Sequence, residues 1–176
     1  MFQGFSKPVK DNKNRSNIWS IQRGTYTLTT TSGDVTITAV DTSRSIVRVT
    51  SSVVYTNAEA FTGNAKLLNS TTIRFQKGAE NNDVTFKWEV ITFNGVKSLQ
   101  SGAVTVTTGS TVTINSINTA KSLLFYSCYH AGAVGDAFEY KRLFTATITN
   151  ATTLTFAPDA TNDVNIFVEW QVIEFN

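Results

Sequence analysis

The sequence predicts an all-β chain with two tandem, similar β-sandwich domains behind an extended N-terminal arm, and three observations carry that prediction. The first is a duplication. WEVITFN at 88–94 returns as WQVIEFN at 170–176, and SIQRG at 20–24 returns as SLQSG at 98–102. Between these anchors, Val35-Thr36-Ile37 matches Val112-Thr113-Ile114, and NSTTIRF at 69–75 matches NATTLTF at 150–156. The spacing between matched residues grows from 78 at Gln22/Gln100 to 82 at Trp88/Trp170, so loops changed length while the order of elements was kept. The second observation is composition. Threonine, at 28 of 176 residues, is the leading polar residue, and with valine, isoleucine and aromatics it fits a pleated, half-buried surface. The third is period-two alternation, as in Thr25-Tyr26-Thr27-Leu28-Thr29 and Ala103-Val104-Thr105-Val106-Thr107, where one face is buried and the other wet.

The arm is placed at 1–18, the first sandwich at 19–95 and the second at 96–176. Strands are expected near 19–31, 35–41, 45–56, 65–69, 71–76 and 84–93 in the first repeat. Their counterparts are 97–108, 111–117, 121–130, 143–149, 152–157 and 164–175. Thr31-Ser32-Gly33-Asp34 and Thr108-Gly109-Ser110 read as hairpin turns, and Asn69-Ser70 and Asn150-Ala151 as tight turns. A unit of about 80 residues is near the size at which a single core is marginal, so each repeat should bury surface on the other or on another subunit.

The closing strand of each repeat is the most informative element. Phe86, Trp88 and Val90, and correspondingly Ile166, Val168, Trp170 and Val172, form the face expected in the sandwich core. The opposite face is polar at its centre and apolar at its end. Ile91, Phe93, Ile173 and Phe175 are therefore expected at an interdomain or intersubunit contact, because a strand apolar on both faces is usually covered on both. The linker Asn94-Gly95-Val96-Lys97 is too short for a flexible tether, which fixes the relative orientation of the repeats. A head-to-tail ring would bury the apolar ends of both repeats. A trimer of such chains would place six similar domains about one axis.

Charge is concentrated at the start. Residues 1–17 hold Lys7, Lys10, Lys13 and Arg15 against Asp11, a net of +3, while the remainder holds 11 basic and 12 acidic side chains. With Phe2 and Phe5, these residues read as an assembly anchor that docks on an acidic surface. No aromatic platform accompanies the basic residues, so nucleic acid is not the expected partner. The N-terminal stretch has no apolar core of a secretory signal, and no run approaches the ~18 apolar residues of a membrane helix. A lone cysteine, Cys128, allows no internal disulfide.

Catalytic and metal-binding patterns are weak. His130, the single histidine, has Ser127 and Asp136 near it in sequence, but no nucleophile elbow surrounds the serine. Cys128 and His130 would give two ligands where structural zinc takes four. The loops Glu80-Asn81-Asn82-Asp83 and Asp159-Ala160-Thr161-Asn162-Asp163 match no EF-hand spacing and read as turn formers. The reading is therefore a non-enzyme with no cofactor and no metal. The largest departure between repeats is the loop from His130 to Arg142. It contributes His130, Phe138, Tyr140, Lys141 and Arg142 as a candidate binding loop, rich in residue types of interface hot spots.

The opening strand Ser-(Ile/Leu)-Gln-x-Gly and the closing strand Trp-x-Val-Ile-x-Phe together resemble small β-sandwich domains of tailed-bacteriophage structural proteins, over both repeats but not the arm. The closing strand is also similar to that of H-type lectin domains, which are oligomeric and bind sugars, although no sugar-binding residue of that family maps onto this chain. The first resemblance implies a virion structural protein, made in the host cytoplasm and carried on the outside of the particle as capsid decoration or as a tail or collar appendage. Its partners would be capsid, portal or tail proteins and further copies of itself. The second implies a host-recognition module that binds a surface glycan.

Overall fold

Twelve strands account for nearly all regular structure in the computed structural model, which describes residues 17–53, 63–78, 83–130, 144–158 and 165–176. In the first repeat they are β1 (Ile18–Leu28), β2 (Ser32–Thr36), β3 (Ser45–Val53), β4 (Gly63–Asn69), β5 (Thr72–Lys77) and β6 (Val84–Phe93). In the second they are β7 (Val96–Val106), β8 (Ser110–Thr113), β9 (Ser122–His130), β10 (Phe144–Asn150), β11 (Thr153–Pro158) and β12 (Ile166–Phe175). Four three-stranded sheets result: β1-β6-β3 and β2-β5-β4 from the first repeat, β7-β12-β9 and β8-β11-β10 from the second. The strand order of the first pair of sheets is thus repeated, position for position, in the second pair.

Each pair of sheets encloses its own apolar core. In the first, Leu28, Ile37, Ile73, Phe75, Val84, Phe86, Trp88 and Val90 are buried together. In the second, the corresponding positions are Val106, Ile114, Leu154, Phe156, Ile166, Val168, Trp170 and Val172. Those residues include the alternating positions of the sequence, so period two is what sends them inward. The shared motifs acquire a physical meaning here. Gly24 pairs with Trp88 and Gly102 with Trp170 across the central ladder of each sandwich. A Cβ on Gly24 would lie 2.4 Å from Trp88 Cζ2, and one on Gly102 2.7 Å from Trp170 Cζ2, so each indole lies flat over a position that only glycine can leave free. The preceding glutamine clamps the chain after the second strand. Gln22 Nε2 donates to Thr38 O at 2.8 Å and Gln22 Oε1 accepts from Thr38 N at 2.9 Å. Gln100 does the same at Asn115, at 3.0 and 2.7 Å.

The tight turns Asn69-Ser70 and Asn150-Ala151 join strands that pair directly, and in each the asparagine Oδ1 accepts from the threonine N–H two residues on, at 2.9 Å. Two other turns differ from expectation. β1 and β2 lie in different sheets, as do β7 and β8, so Thr31-Ser32-Gly33-Asp34 and Thr108-Gly109-Ser110 are not hairpins. Ser32, Gly33 and Asp34 belong to β2 itself, where Asp34 faces Arg74 and pairs with it. Gly33 is there because a Cβ would lie 2.1 Å from the Tyr26 hydroxyl. The second strands also end sooner than their apolar pattern implied. Ile37 and Ile114 leave the ladder and donate to the carbonyls of Thr71 and Thr152 in the tight turns, at 2.8 and 2.9 Å.

These contacts set an expectation for stability. Trp88→Ala and Trp170→Ala should each cost about 3–5 kcal/mol, since each removes the largest side chain of its core. Gly102→Ala should cost roughly 1–3 kcal/mol by overpacking against the indole. Denaturant titration followed by tryptophan fluorescence measures all three, and a near-neutral Gly102→Ala would contradict the close approach.

Candidate functional site

The outer face of each central sheet, the side turned away from its own core, is where the two repeats part company. In β12 this face carries Phe167, Glu169, Gln171 and Ile173. Its neighbours across the ladder are Tyr129, Ser127, Phe125 and Leu123 of β9. The corresponding face of the first repeat carries Thr85, Lys87, Glu89 and Ile91 of β6, beside Arg48 and Thr50 of β3.

On the second repeat that face is occupied from within the chain. β3 and β4 are edge strands of the first repeat's two sheets, and both come to rest on it. Gln171 Oε1 accepts from Val47 N and Gln171 Nε2 donates to Val47 O, both at 2.9 Å, so one side-chain amide does for the edge of β3 what a neighbouring strand would do. Ala65 N of β4 donates to Ser127 Oγ at 3.1 Å, and that hydroxyl lies 3.5 Å from Ala65 O. Lys66 Nζ donates to Glu169 Oε1 at 2.7 Å, and Asn64 Nδ2 to Phe167 O at 3.4 Å. Burial follows: Glu169 and Gln171 are each 8% exposed although they stand at the polar centre of the strand. The sequence reading expected only the apolar end of this face to be covered. It missed Gln171, Ser127, Ala65 and Lys66, because a glutamine facing the backbone of another strand leaves no periodic signal.

The four apolar residues assigned to a contact are found together. Phe93 and Ile173 are buried with Ile46, and Ile91, Phe175, Val96, Leu99 and Phe125 pack against them. The rings of Phe93 and Phe175 meet edge to face at 5.5 Å. A head-to-tail ring is not needed to bury them, because all four meet within one chain. The contact sets edges of one repeat on a face of the other, so it closes inside one chain without two-fold symmetry. A trimer draws no support from these four residues.

Beside the tryptophan of each repeat the outer face forms a depression over the glycine. At Trp170 its volume is about 230 Å³, and Ala65, Lys66 and Leu67 of β4 wall it on one side. At Trp88 the corresponding depression is about 470 Å³ and, among the described residues, is lined by β1, β3 and β6: Arg23, Gly24, Thr25, Arg48, Val49, Thr50, Lys87, Trp88 and Glu89. Glu89 bridges Arg23 and Arg48 at 2.6 and 3.1 Å, and those two hydrogen bonds hold its carboxyl below the usual carboxylate range.

Other candidate residues fall as follows. Ser127 is turned to the backbone of Ala65 and not to His130, which is buried at the end of β9. Burial pushes the Cys128 thiol up to about 12, so it stays protonated and unreactive at neutral pH. No group of three histidine, cysteine or acidic side chains that could hold a metal occurs among the described residues, and no helix there is long and apolar enough to cross a membrane. Asp136, the loop residues Phe138, Tyr140, Lys141 and Arg142, most of the two acidic loops, and the arm residues Phe2, Phe5, Lys7, Lys10, Lys13 and Arg15 lie outside the described residues. Where the described chain begins, Ile18 and Trp19 are 42% and 66% exposed, and the Arg44 guanidinium stands 5.8 Å from the Trp19 ring centre. This apolar pair was not singled out from sequence.

Neither a family model, a curated protein nor a solved structure matches the chain.

Two outcomes follow from this geometry. Gln171→Leu should destabilise the protein by roughly 1–3 kcal/mol for each of the two Val47 backbone groups it orphans, measured by chemical denaturation. Glu174, buried at the foot of β12, accepts from Lys97 Nζ at 2.8 Å, Asn118 N at 3.0 Å and Ser98 Oγ at 3.2 Å. The Lys97 bond, then that from Asn118, lowers its pKa. A carboxylate with a depressed folded pKa stabilises the fold above its unfolded value, about 4.3 for glutamate, and loses that contribution as pH falls toward the folded value. Glu174→Gln should therefore flatten the acid limb of a melting-temperature profile, and an unchanged limb would contradict the assignment.

Proposed function

We propose that this is a non-enzymatic structural protein of a tailed-phage virion, displayed on the outside of the particle as capsid decoration or as a tail or collar appendage. The observation that carries the reading is the seating of the first repeat on the second. Two duplicated sandwiches are held in one orientation by buried side-chain-to-backbone bonds and a shared apolar cluster. Such a body suits a protein that presents and spaces surfaces on an assembly. The sequence motifs that repeat, Gln-x-Gly and Trp-x-Val, serve packing and clamping in both halves, in keeping with an architectural lineage.

The arm is the proposed anchor, with capsid, portal or tail protein as its partner. Ile18 and Trp19 support this, because they leave exposed apolar surface at the point where the arm joins β1. The arm's aromatic residues, Phe2 and Phe5, and its net charge of +3 would then continue one docking surface. The carbohydrate-binding alternative rests on the loop from His130 to Arg142, of which His130 alone is described.

Deletion of residues 1–17 should leave a folded protein, seen by unchanged near-ultraviolet dichroism, that no longer appears in purified particles assembled in its presence. Trp19→Ala should weaken incorporation without unfolding the chain. Full incorporation of the deleted form would overturn the anchor.

A further inference from the structure

The outer face of β1-β6-β3 and the edge formed by β9 and β10, open among the described residues, are the two surfaces of this chain that would meet if the internal contact were repeated between molecules. We infer that they bind each other, the edge of one copy seating on the face of the next. The occupant of the depression at Trp88 is thus a second copy of this chain.

The strand-for-strand correspondence of the repeats makes the argument specific. Besides the Asn64–Phe167 bond, the internal contact uses four features of the first repeat's edge: the backbone of Val47, the backbone of Ala65, the side chain at Lys66 and the apolar Ile46. By register these correspond to Leu124, Ala146, Thr147 and Leu123 in the second repeat. Ile46 is 0% exposed because the second repeat covers it, whereas Leu123 is 52% exposed. Tyr126, the next residue but two along β9, is exposed as well. Ala65 lends only its backbone to the contact, since its side chain is in the first core, and Ala146 likewise packs its side chain on the second core and has its backbone to offer.

The receiving face has matching chemistry in a different form. Thr50 stands where Ser127 does and offers the same hydroxyl to the Ala146 backbone. Gln171 gives Val47 one acceptor and one donor from a single amide. At the corresponding place, Glu89 offers the acceptor and Arg48, directly across the ladder, the donor, so the pair can take Leu124 N and O between them. Ile91 continues the surface toward the shared apolar cluster, as Ile173 does. The face is open where its counterpart is filled, about 470 Å³ against about 230 Å³. Because an edge meets a face, the contact is head-to-tail. It closes into a ring or runs on as a chain according to the rotation each step imposes. It replaces a neutral amide by charged side chains as partners of the edge backbone, and it has Thr147 and Lys87 where the internal contact has the Lys66–Glu169 ion pair. The inference does not rest on the virion reading, since it concerns the purified chain alone.

The test is sedimentation velocity of the full chain from micromolar to millimolar concentration at low salt, with near-ultraviolet dichroism as the folding control. Wild type should grow past a dimer with concentration. Leu123→Glu spoils the edge and leaves the face, whereas Arg48→Glu alters the face and leaves the edge. Each variant alone should stay monomeric. An equimolar mixture of Leu123→Glu with a folded face variant should give a dimer and nothing larger, because one intact edge then meets one intact face. Monomeric wild type at every concentration, or variants that associate as wild type does, would overturn the inference. So would a mixture that stays monomeric.

Discussion

The arrangement of this protein depends on how the free edges of β3 and β4 are satisfied. Each is the outer strand of a three-stranded sheet, and an outer strand presents a row of N–H and C=O groups that must find partners or stay in water. Here they find side chains. Gln171 takes both groups of Val47, and Ser127 takes those of Ala65. Once these are fixed, the rest of the interface follows from geometry. Lys66 falls on Glu169, and Ile46 drops into the cluster with Phe93 and Ile173, where the edge-to-face ring contact of Phe93 and Phe175 closes the end nearest the linker.

Duplication explains why this solution was available. A sandwich of two three-stranded sheets has two open edges on one side and a broad outer face on another. Two fused copies can satisfy one pair of edges with one face, and they leave one face and one pair of edges over. The two repeats are equivalent in core and turns but not in environment. Trp88 and Trp170, Gln22 and Gln100, and Asn69 and Asn150 make the same contacts. Ile46 and Leu123, or Glu89 and Gln171, do not. Where the second repeat has a neutral amide against backbone, the first has a carboxylate between two arginines in solvent.

The core and the strand count were legible because they depend on short-range pattern: alternation sends Phe86, Trp88 and Val90 inward, and the repeated motifs mark matching elements. The ends of β2 and β8 were not, because Ile37 and Ile114 are apolar for the sake of the core while their backbones serve the turn of a different hairpin. The apolar ends Ile91, Phe93, Ile173 and Phe175 were read as needing cover, but sequence carries no sign of what covers them. The polar half of the interface was invisible, since Gln171 and Glu169 look like solvent-facing residues until the edge of another strand is laid over them.

The most direct test of this account is native-state amide hydrogen exchange at Val47 and Ala65. Amides on the outer side of an edge strand ordinarily exchange through small local openings. If Gln171 and Ser127 hold them as described, both should exchange only through global unfolding, with protection equal to that of the core strands β6 and β12. Fast exchange at Val47 and Ala65 while β6 and β12 stay protected would contradict the seating of one repeat on the other.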